Sequence, residues 1–535
     1  LYHLVRRHFG TLAGFTAAFI LATAPITVAT ERNNTMDALL VFVLLLAAWA
    51  FLKAAETGRV RTLLLGAFLL GLGFNIKMLQ AVMPLPAFYA VYLFSDKHSC
   101  WKKLFHLGLS TLVFLGVALA WVVVVDLTPA DQRPFVGSST DNSMLELVIG
   151  HNGLRRLGLA EEQYAGPGGQ PGGNPPRKTP PPHRMPPGQL PDGPRVGNPP
   201  NRPGGGRASE TGTAGLLRLF QEPLATEISW LLPLALLGIP LGLAALGQRW
   251  PLKQSHLGLL LWSGWLLPCL FYFSFTTGLF HRYYLIMIGP PLGALGGIVV
   301  WAVKDFWHRR SRWGWTLLLV LSGFSLGFEL YLLRGSPYLF FPISLITLTS
   351  WLAGMVLLAV WSQTAQMRWG GSLLVGISLL AAPFLWSLLT VLNPSPNTAL
   401  PTAGPAGNEG TRPTRMTPDQ EYLTEYGKAV LDYTASRTEP EEYLLATSNA
   451  RGAAPYILES GRPVLTFGGF TGNDPVVDLE TFQELVDSGQ LRFVLGLPIG
   501  ASDLRQHIRS TCEAVRLPGF ESQPQQMEVL FDCES

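Results

Sequence analysis

Hydrophobic and polar positions alternate along this chain on the scale of whole segments. Apolar runs lie near 11–29, 37–53, 62–77, 78–94 and 104–125, and after a long polar interval near 229–247, 256–276, 283–303, 314–333, 339–361 and 371–391. Each is close to the roughly 20 residues a helix needs to cross the hydrocarbon core of a bilayer. The pattern therefore predicts a polytopic α-helical membrane protein with about eleven complete spans. Several runs hold proline (Pro25, Pro84, Pro86, Pro233, Pro240, Pro268, Pro290 and Pro383), which membrane helices tolerate where neighbours satisfy the freed backbone groups. Leu1–Val5 reads as the tail of a helix, and position 1 is Leu rather than Met, so an N-terminal truncation is expected.

The membrane domain is expected over 1–392. Inside it, 126–228 is a long polar interval. GSSTDNSMLELVIGHNGLRRLG (137–158) combines a polar turn with a short apolar helix. Residues 165–214 are almost all Pro, Gly and scattered Arg, a composition that buries no core and predicts a disordered external insertion. GLLRLF (215–220) reads as a short interfacial helix. A linker is expected over 393–415 and a separate domain over 416–535. There, YLLATSN (443–449), PVLTFGG (463–469), LRFVLGL (491–497) and MEVLFDC (527–533) read as strands. Helical pieces fall at 421–433, 453–461, 479–489 and 501–515. Strands alternating with helices predict a small α/β domain with a mostly parallel sheet.

Composition agrees with the pattern: 48% of residues are hydrophobic and only 14% charged, against about 25% charged in a soluble domain. A net charge of +3 gives no argument for a nucleic-acid partner. The placement of the charges says more. One set of alternate short loops holds Arg6, Arg7, Lys53, Arg59, Arg61, Lys97, Lys102, Lys103, Arg249, Lys253, Lys304, Arg309, Arg310, Arg312 and Arg368; the other holds Arg32, Lys77, Arg282 and Arg334. Fifteen against four makes the first set cytoplasmic. The C-terminal domain and the loops carrying Arg32, Lys77 and Arg282 are then extracytoplasmic, in a multi-pass protein of the cell membrane.

The candidate chemistry gathers on that outer side. TERNNTMDALL (30–40) packs Glu31, Arg32, Asn33, Asn34 and Asp37 between two apolar runs, where ionisable groups are costly and mark functional sites. Asn34 or Thr35 as an N-cap, with Asp37 favoured by the helix dipole, is the structural alternative. Lys77 in GFNIKMLQ and His281-Arg282-Tyr283-Tyr284 in GLFHRYYLIMIGPP lie on the same side. Snorkelling would account for Lys77 alone, and an aromatic belt for the tyrosines. Together they supply a carboxylate, fixed cations, an imidazole and two phenols beside the lipid headgroups. A transferase using a lipid-phosphate donor needs such a set: cations stabilise the departing phosphate, and a carboxylate accepts the proton of the attacking hydroxyl. In the tail, the loop GGFTGNDP offers Gly468, Gly469, Thr471, Asn473 and Asp474 at a strand end, where open α/β sheets bind ligands, or an ordinary turn. Cys512 and Cys533 share the external domain and are candidates for a disulfide. No H-E-x-x-H or paired-cysteine metal motif is present in the sequence.

In RNNTMDALL, the glycine-rich helix ending in Lys77, STDNSMLELVIGHNGLRRL, HRYYLIMIGPP and ATSNARGAAPYILESGRPVLTFGGFTGNDP, the chain resembles bacterial membrane glycosyltransferases. These are the relatives of the protein O-mannosyltransferases and of the lipid A aminoarabinose transferase, in the mannosyltransferase-like branch with an external C-terminal domain. The resemblance implies transfer of a sugar, mannose or a pentose, from a polyprenyl-phosphate donor to a cell-envelope acceptor (lipid, glycan or protein) at the outer membrane face. It implies catalytic roles for Asp37 and a supporting Glu31, and donor or phosphate contacts for Arg32, Lys77, His281, Arg282, Tyr283 and Tyr284. Some relatives use a divalent cation. The family's main catalytic acid lies in a loop that would precede Leu1, so the given chain is expected to lack it. A polytopic transporter and a non-catalytic cell-envelope assembly protein are the competing readings. The first would call for charges at the bilayer midplane and repeated halves.

Overall fold

The structure is a computed structural model that describes residues 1–129, 132–154, 210–248, 250–309, 311–360, 364–393, 400–405, 423–470, 472–499, 501–520 and 528–534. The chain divides into two compact units, one of Leu1–Leu127, Asn152–Leu159 and Gly205–Arg415, the other of Thr128–His151, Ala160–Gly204 and Met416–Ser535. The division differs from the boundaries expected from sequence in two places. Residues 128–151 group with the tail, and the linker groups with the membrane helices.

The first unit is a helical bundle. Its first half holds α1 (Tyr2–Phe9), α2 (Thr11–Ala22), α3 (Pro25–Glu31), α4 (Asp37–Thr57), α5 (Val60–Val82), α6 (Leu85–Leu93) and α7 (Cys100–Leu127). The short α8 (Met144–Glu146) belongs to the other unit, and the bundle resumes with α9 (Ala225–Ile228), α10 (Leu232–Leu246), α11 (Gln254–Phe275) and α12 (Gly289–Arg309). It closes with α13 (Ser311–Leu333), α14 (Pro337–Val360) and α15 (Ala365–Leu392). Among the described residues nine helices are long and apolar enough to cross a membrane, or ten if the bent pair α2–α3 counts as one span. The expected eleven runs differ from this at 78–94. There α5 continues past Lys77 to Val82 and α6 is nine residues long, so no single helix fills the run. The segment still traverses the bundle. Lys77 is bonded to Asp37 at the start of α4, while His98 donates to the carbonyl of Gly58, just past the other end of α4, at 2.8 Å.

Arg7 and Lys53 both reach Glu56 at that second end, and Arg32 lies at the first. Arg7 and Lys53 of the first set therefore lie at the opposite end of α4 from Arg32 and Lys77 of the second. Close packing of α12 on α2 requires glycine: a Cβ at Gly293 would stand 2.5 Å from the carbonyl oxygen of Ala17, and one at Gly297 would lie closer still to that of Ala13. Such small-residue faces let membrane helices approach closely. The expected interfacial helix at 215–220 is only a 3-10 turn, Arg218–Phe220, and Arg218 is buried, donating to the carbonyls of Thr211 and Thr276 at 2.9 and 2.8 Å. Most of the expected disordered insertion lies outside the described residues. Its last residues do not behave as a solvated linker, since Glu210 and Thr211 are hydrogen-bonded partners of His281 and Arg218.

Ser143 caps α8, and a π-helix follows over Leu147–Leu154, its last three residues counted with the first unit. The tail carries α16 (Glu425–Ala435), β1 (Ala446–Thr447), α17 (Ala450–Ser460), β2 (Leu465–Thr466), α18 (Leu479–Asp487), β3 (Phe493–Leu495), α19 (Ser502–Thr511), β4 (Glu513–Ala514) and β5 (Leu530–Asp532). The sheet order is β2-β1-β3-β5-β4. Only the β1–β2 and β1–β3 pairs are parallel; β5 runs antiparallel to both β3 and β4. The sheet is thus mixed rather than mostly parallel. The departure comes from β5, which enters the sheet between β3 and β4 and runs against both. The helix expected to reach 515 stops at Thr511, and the next residues form β4 at the sheet edge. Both sheet faces are covered: Phe493 and Leu495 pack with Tyr426 and Tyr456, and Val494 packs with Phe482, Leu504 and Ile508.

The pairing of Glu513 with Asp532 brings Cys512 opposite Cys533, and these are disulfide-bonded with Cα atoms 4.3 Å apart. Arg492 grips Asp532 with two hydrogen bonds of 2.9 and 2.8 Å. Burial pushes the Asp532 carboxyl up, but the Arg492 hydrogen bonds more than offset this and hold it below the usual carboxylate range. A depressed folded pKa means the stabilisation is complete above the unfolded value of about 3.9 and is lost as pH falls through the folded one. Asp532→Asn is therefore expected to lower tail stability at neutral pH and to flatten its decline below about pH 4. Hydrogen exchange of the tail amides in the full chain, measured across that range, checks it.

Candidate functional site

The start of α4 sets the site. Neither Asn34 nor Thr35 caps this helix. Asn33 Oδ1 accepts from the Asn34 amide, Thr35 turns back to the carbonyl of Thr30, and the cap residue, Met36, makes no side-chain bond. Asp37, the first helical residue, faces sideways into the bundle and is 1% exposed. Its Oδ1 accepts from Lys77 Nζ at 2.6 Å. Lys77 reaches it because α5 breaks there, with φ −156° and ψ 80° at Lys77 itself. At 9% exposure Lys77 does not snorkel to water. Its ammonium lies 4.7 Å from the ring centre of Tyr283 and 4.2 Å from that of Tyr284, within the range of cation–π attraction. A carboxylate and two aromatic rings thus surround one cation. Gln80, three residues further on, is 1% exposed, and neither side-chain polar atom has a hydrogen-bond partner among the described residues.

The stretch preceding the tyrosines forms a second polar cluster. His281 Nδ1 is 3.0 Å from Glu210 Oε1, and Arg282 Nε donates to the Glu210 carbonyl at 2.6 Å. Arg282 Nη1 lies 3.6 Å from Glu227 Oε1, while Glu227 Oε2 accepts from the backbone amide of Ala403 at 2.8 Å. Burial raises the nearby Glu222 carboxyl, and the charge of Arg282 pulls it the other way. The remaining expected members stand apart. Glu31 is exposed at the end of α3. Arg32 donates to the carbonyl of Thr390 at 2.8 Å, placing a cation at the C-terminal end of α15, where the helix dipole favours it.

In the tail loop, the main-chain groups of Gly468 and Gly469 are taken up locally. Gly468 O accepts from the amides of Gly472 and Asp474, and Gly469 O accepts from that of Ala450. Asn449 Oδ1 takes the next two amides at the start of α17, Arg451 and Gly452, so that helix end presents no ready anion site. Asp474 is buried and accepts a backbone hydrogen bond from Ser138. Asn473 is exposed, and Thr471 lies outside the described residues. The loop therefore clamps residues of the 128–151 segment. Among the described residues no group of three or more His, Cys, Asp and Glu side chains could hold a metal ion.

Residues 1–121 match the family described as "Dolichyl-phosphate-mannose-protein mannosyltransferase", and 430–511 match "Putative mannosyltransferase YkcB-like, C-terminal". "Putative mannosyltransferase YkcB" of Bacillus subtilis (strain 168) is 34% identical over 558 residues, covering 94% of this chain and 76% of the relative. The chain belongs to this family. A second member, "Putative mannosyltransferase YycA" of the same organism, is 34% identical over 544 residues, 92% of this chain and 77% of the relative. The crystal structure of ArnT from Cupriavidus metallidurans bound to undecaprenyl phosphate aligns with 99% of this chain and 81% of its own at a TM-score of 0.45 and 14% identity. That likeness is too remote to transfer residue roles. Membership makes the chain a multi-pass membrane protein of a glycosyltransferase family.

The sequence reading of this mannosyltransferase-like chain missed Glu210, Glu227 and Ala403. Glu227 stands two residues before an apolar run, so the rule that singled out Asp37 would have found it. Glu210 was hidden in a Pro/Gly-rich stretch, and Ala403 acts through its backbone, which leaves no side-chain signal. For the buried pair, removal of one partner leaves the other charge uncompensated. Asp37→Asn is expected to destabilise the protein by about 3–5 kcal/mol. The double substitution Asp37→Leu with Lys77→Met should recover most of that loss while leaving the protein inactive. Thermal unfolding in detergent, paired with a transfer assay, checks both.

Proposed function

We propose that this chain transfers a sugar from a polyprenyl-phosphate donor to a hydroxyl of a cell-envelope acceptor at the outer face of the membrane. The observation that carries the reading is the Lys77 ammonium, buried against Asp37 beneath Tyr283 and Tyr284, with Arg282 adjacent in the chain. Family membership and the dolichyl-phosphate-mannose description of the matched family support a lipid-linked donor. When the bond between the sugar's anomeric carbon and the phosphate oxygen breaks, its electron pair goes to the phosphate. Lys77 and Arg282 are the cations suited to stabilise that charge. Asp37 holds Lys77 in place, which makes it a positioning group first. The proton of the attacking hydroxyl passes to a carboxylate within hydrogen-bond reach. Gln80, buried with free hydrogen-bonding capacity, suits a polar ligand beside Lys77. A mannosyl or a pentosyl donor fits this set equally.

One observation favours the rival reading as a transporter. Glu329 in α13 is fully buried, with neither carboxylate oxygen hydrogen-bonded among the described residues, and such groups mark ion paths in membranes. The full-length protein in vesicles, supplied with radiolabelled polyprenyl-phosphate sugar and envelope acceptor, separates the two. Transfer of label to the acceptor, reduced about 10²–10³-fold in Lys77→Met, is expected. Uptake of label into the vesicle lumen without transfer would overturn the proposal in favour of transport.

A further inference from the structure

The stretch that reads as a free linker is partly built into the bundle. Residues 400–405 belong to the membrane unit, and Pro401 and Gly404 are buried. Two consecutive amides hold the segment: Ala403 N donates to Glu227 Oε2 at 2.8 Å, and Gly404 N donates to Thr390 Oγ1 at 2.7 Å. Glycine is required at 404. Its φ is +100°, and a Cβ there would stand 2.6 Å from the Trp386 ring. Thr390 also gives its carbonyl to Arg32, so the end of the last span is a junction for both contacts.

Glu227 is 1% exposed. One of its oxygens faces Arg282 and the other takes the linker amide. Hydrogen bonds from an amide to a buried carboxylate are among the stronger ones, and a buried carboxylate stripped of a donor pays its desolvation penalty. The segment therefore fixes the carboxylate that fixes Arg282. Arg282 is followed directly by Tyr283 and Tyr284, whose rings cover Lys77. We propose that residues 400–405 act as a latch: docked on Glu227 and Thr390, they hold Arg282 in register with Lys77, and release of the latch weakens binding of the phosphate donor. Glu227 is then a positioning residue. The inference rests on Arg282 serving the donor side.

The test uses the full chain in nanodiscs, with Gly404→Val to expel the segment and the near-isosteric Thr390→Val to remove one anchor. Amide exchange over 400–405 is read first, with exchange of the spans as the control for folding. Binding of polyprenyl phosphate is read second. Both variants should raise exchange over 400–405 while the spans stay protected, and should weaken polyprenyl-phosphate binding about tenfold, the worth of one hydrogen bond to a charged group. Raised exchange with unchanged affinity would overturn the latch, as would exchange that neither variant alters. If the unsubstituted chain binds no polyprenyl phosphate, the donor reading fails separately. The latch is then decided by Arg282→Met: faster exchange over 400–405 supports the coupling through Glu227, and unchanged exchange overturns it.

Discussion

An ammonium and a carboxylate buried together among apolar helices cost several kcal/mol each in lost hydration. Their attraction repays this only when the geometry is close and the surroundings help. Asp37 and Lys77 meet at 2.6 Å, and two tyrosine rings face the ammonium. Much of the bundle's shape around them follows from that requirement. The cap of α4 is left to the backbone, so that Asp37 is free to turn inward. Helix α5 gives up its regular backbone at Lys77, and the chain beyond it runs through the last turn of α5 and the nine-residue α6 rather than one long helix. The 3-10 segment Arg282–Ile288 brings both rings to the same point.

The neighbouring cluster follows the same physics with different parts. Arg282 is matched by Glu227, and what remains of that carboxylate is satisfied by a main-chain amide from a segment far along the chain. Buried charge is thus divided between two small networks at one end of the bundle, and three sequence-distant pieces are drawn to them: the end of the Pro/Gly-rich insertion at Glu210, the loop at 281–284, and the linker at 400–405. The proposed transfer would give this concentration of polar groups a chemical purpose, since a lipid-linked phosphate calls for cations to stabilise its charge.

What the sequence determined by itself is the architecture that depends on composition and period. Runs of apolar residues as long as a bilayer core dictate spans, because an unpaired backbone in lipid has no alternative to the helix. The asymmetry of Lys and Arg sorted the loops, and the structure places Arg7 and Lys53 at the opposite end of α4 from Lys77. Asp37, Lys77 and the tyrosine pair were legible because ionisable groups beside such runs are conspicuous. The alternation of strands and helices in the tail was legible for the same reason of period. Pairing was decided only in three dimensions. Nothing local distinguishes Asp37 as a cap from Asp37 as a counter-ion, and that choice depends on where a helix break forty residues away delivers Lys77. The direction of β5 shows only in its pairing with β3 and β4, which its own residues do not reveal. The role of Ala403 lies in an amide that every residue but proline carries, and only the fold decides which of them finds a carboxylate.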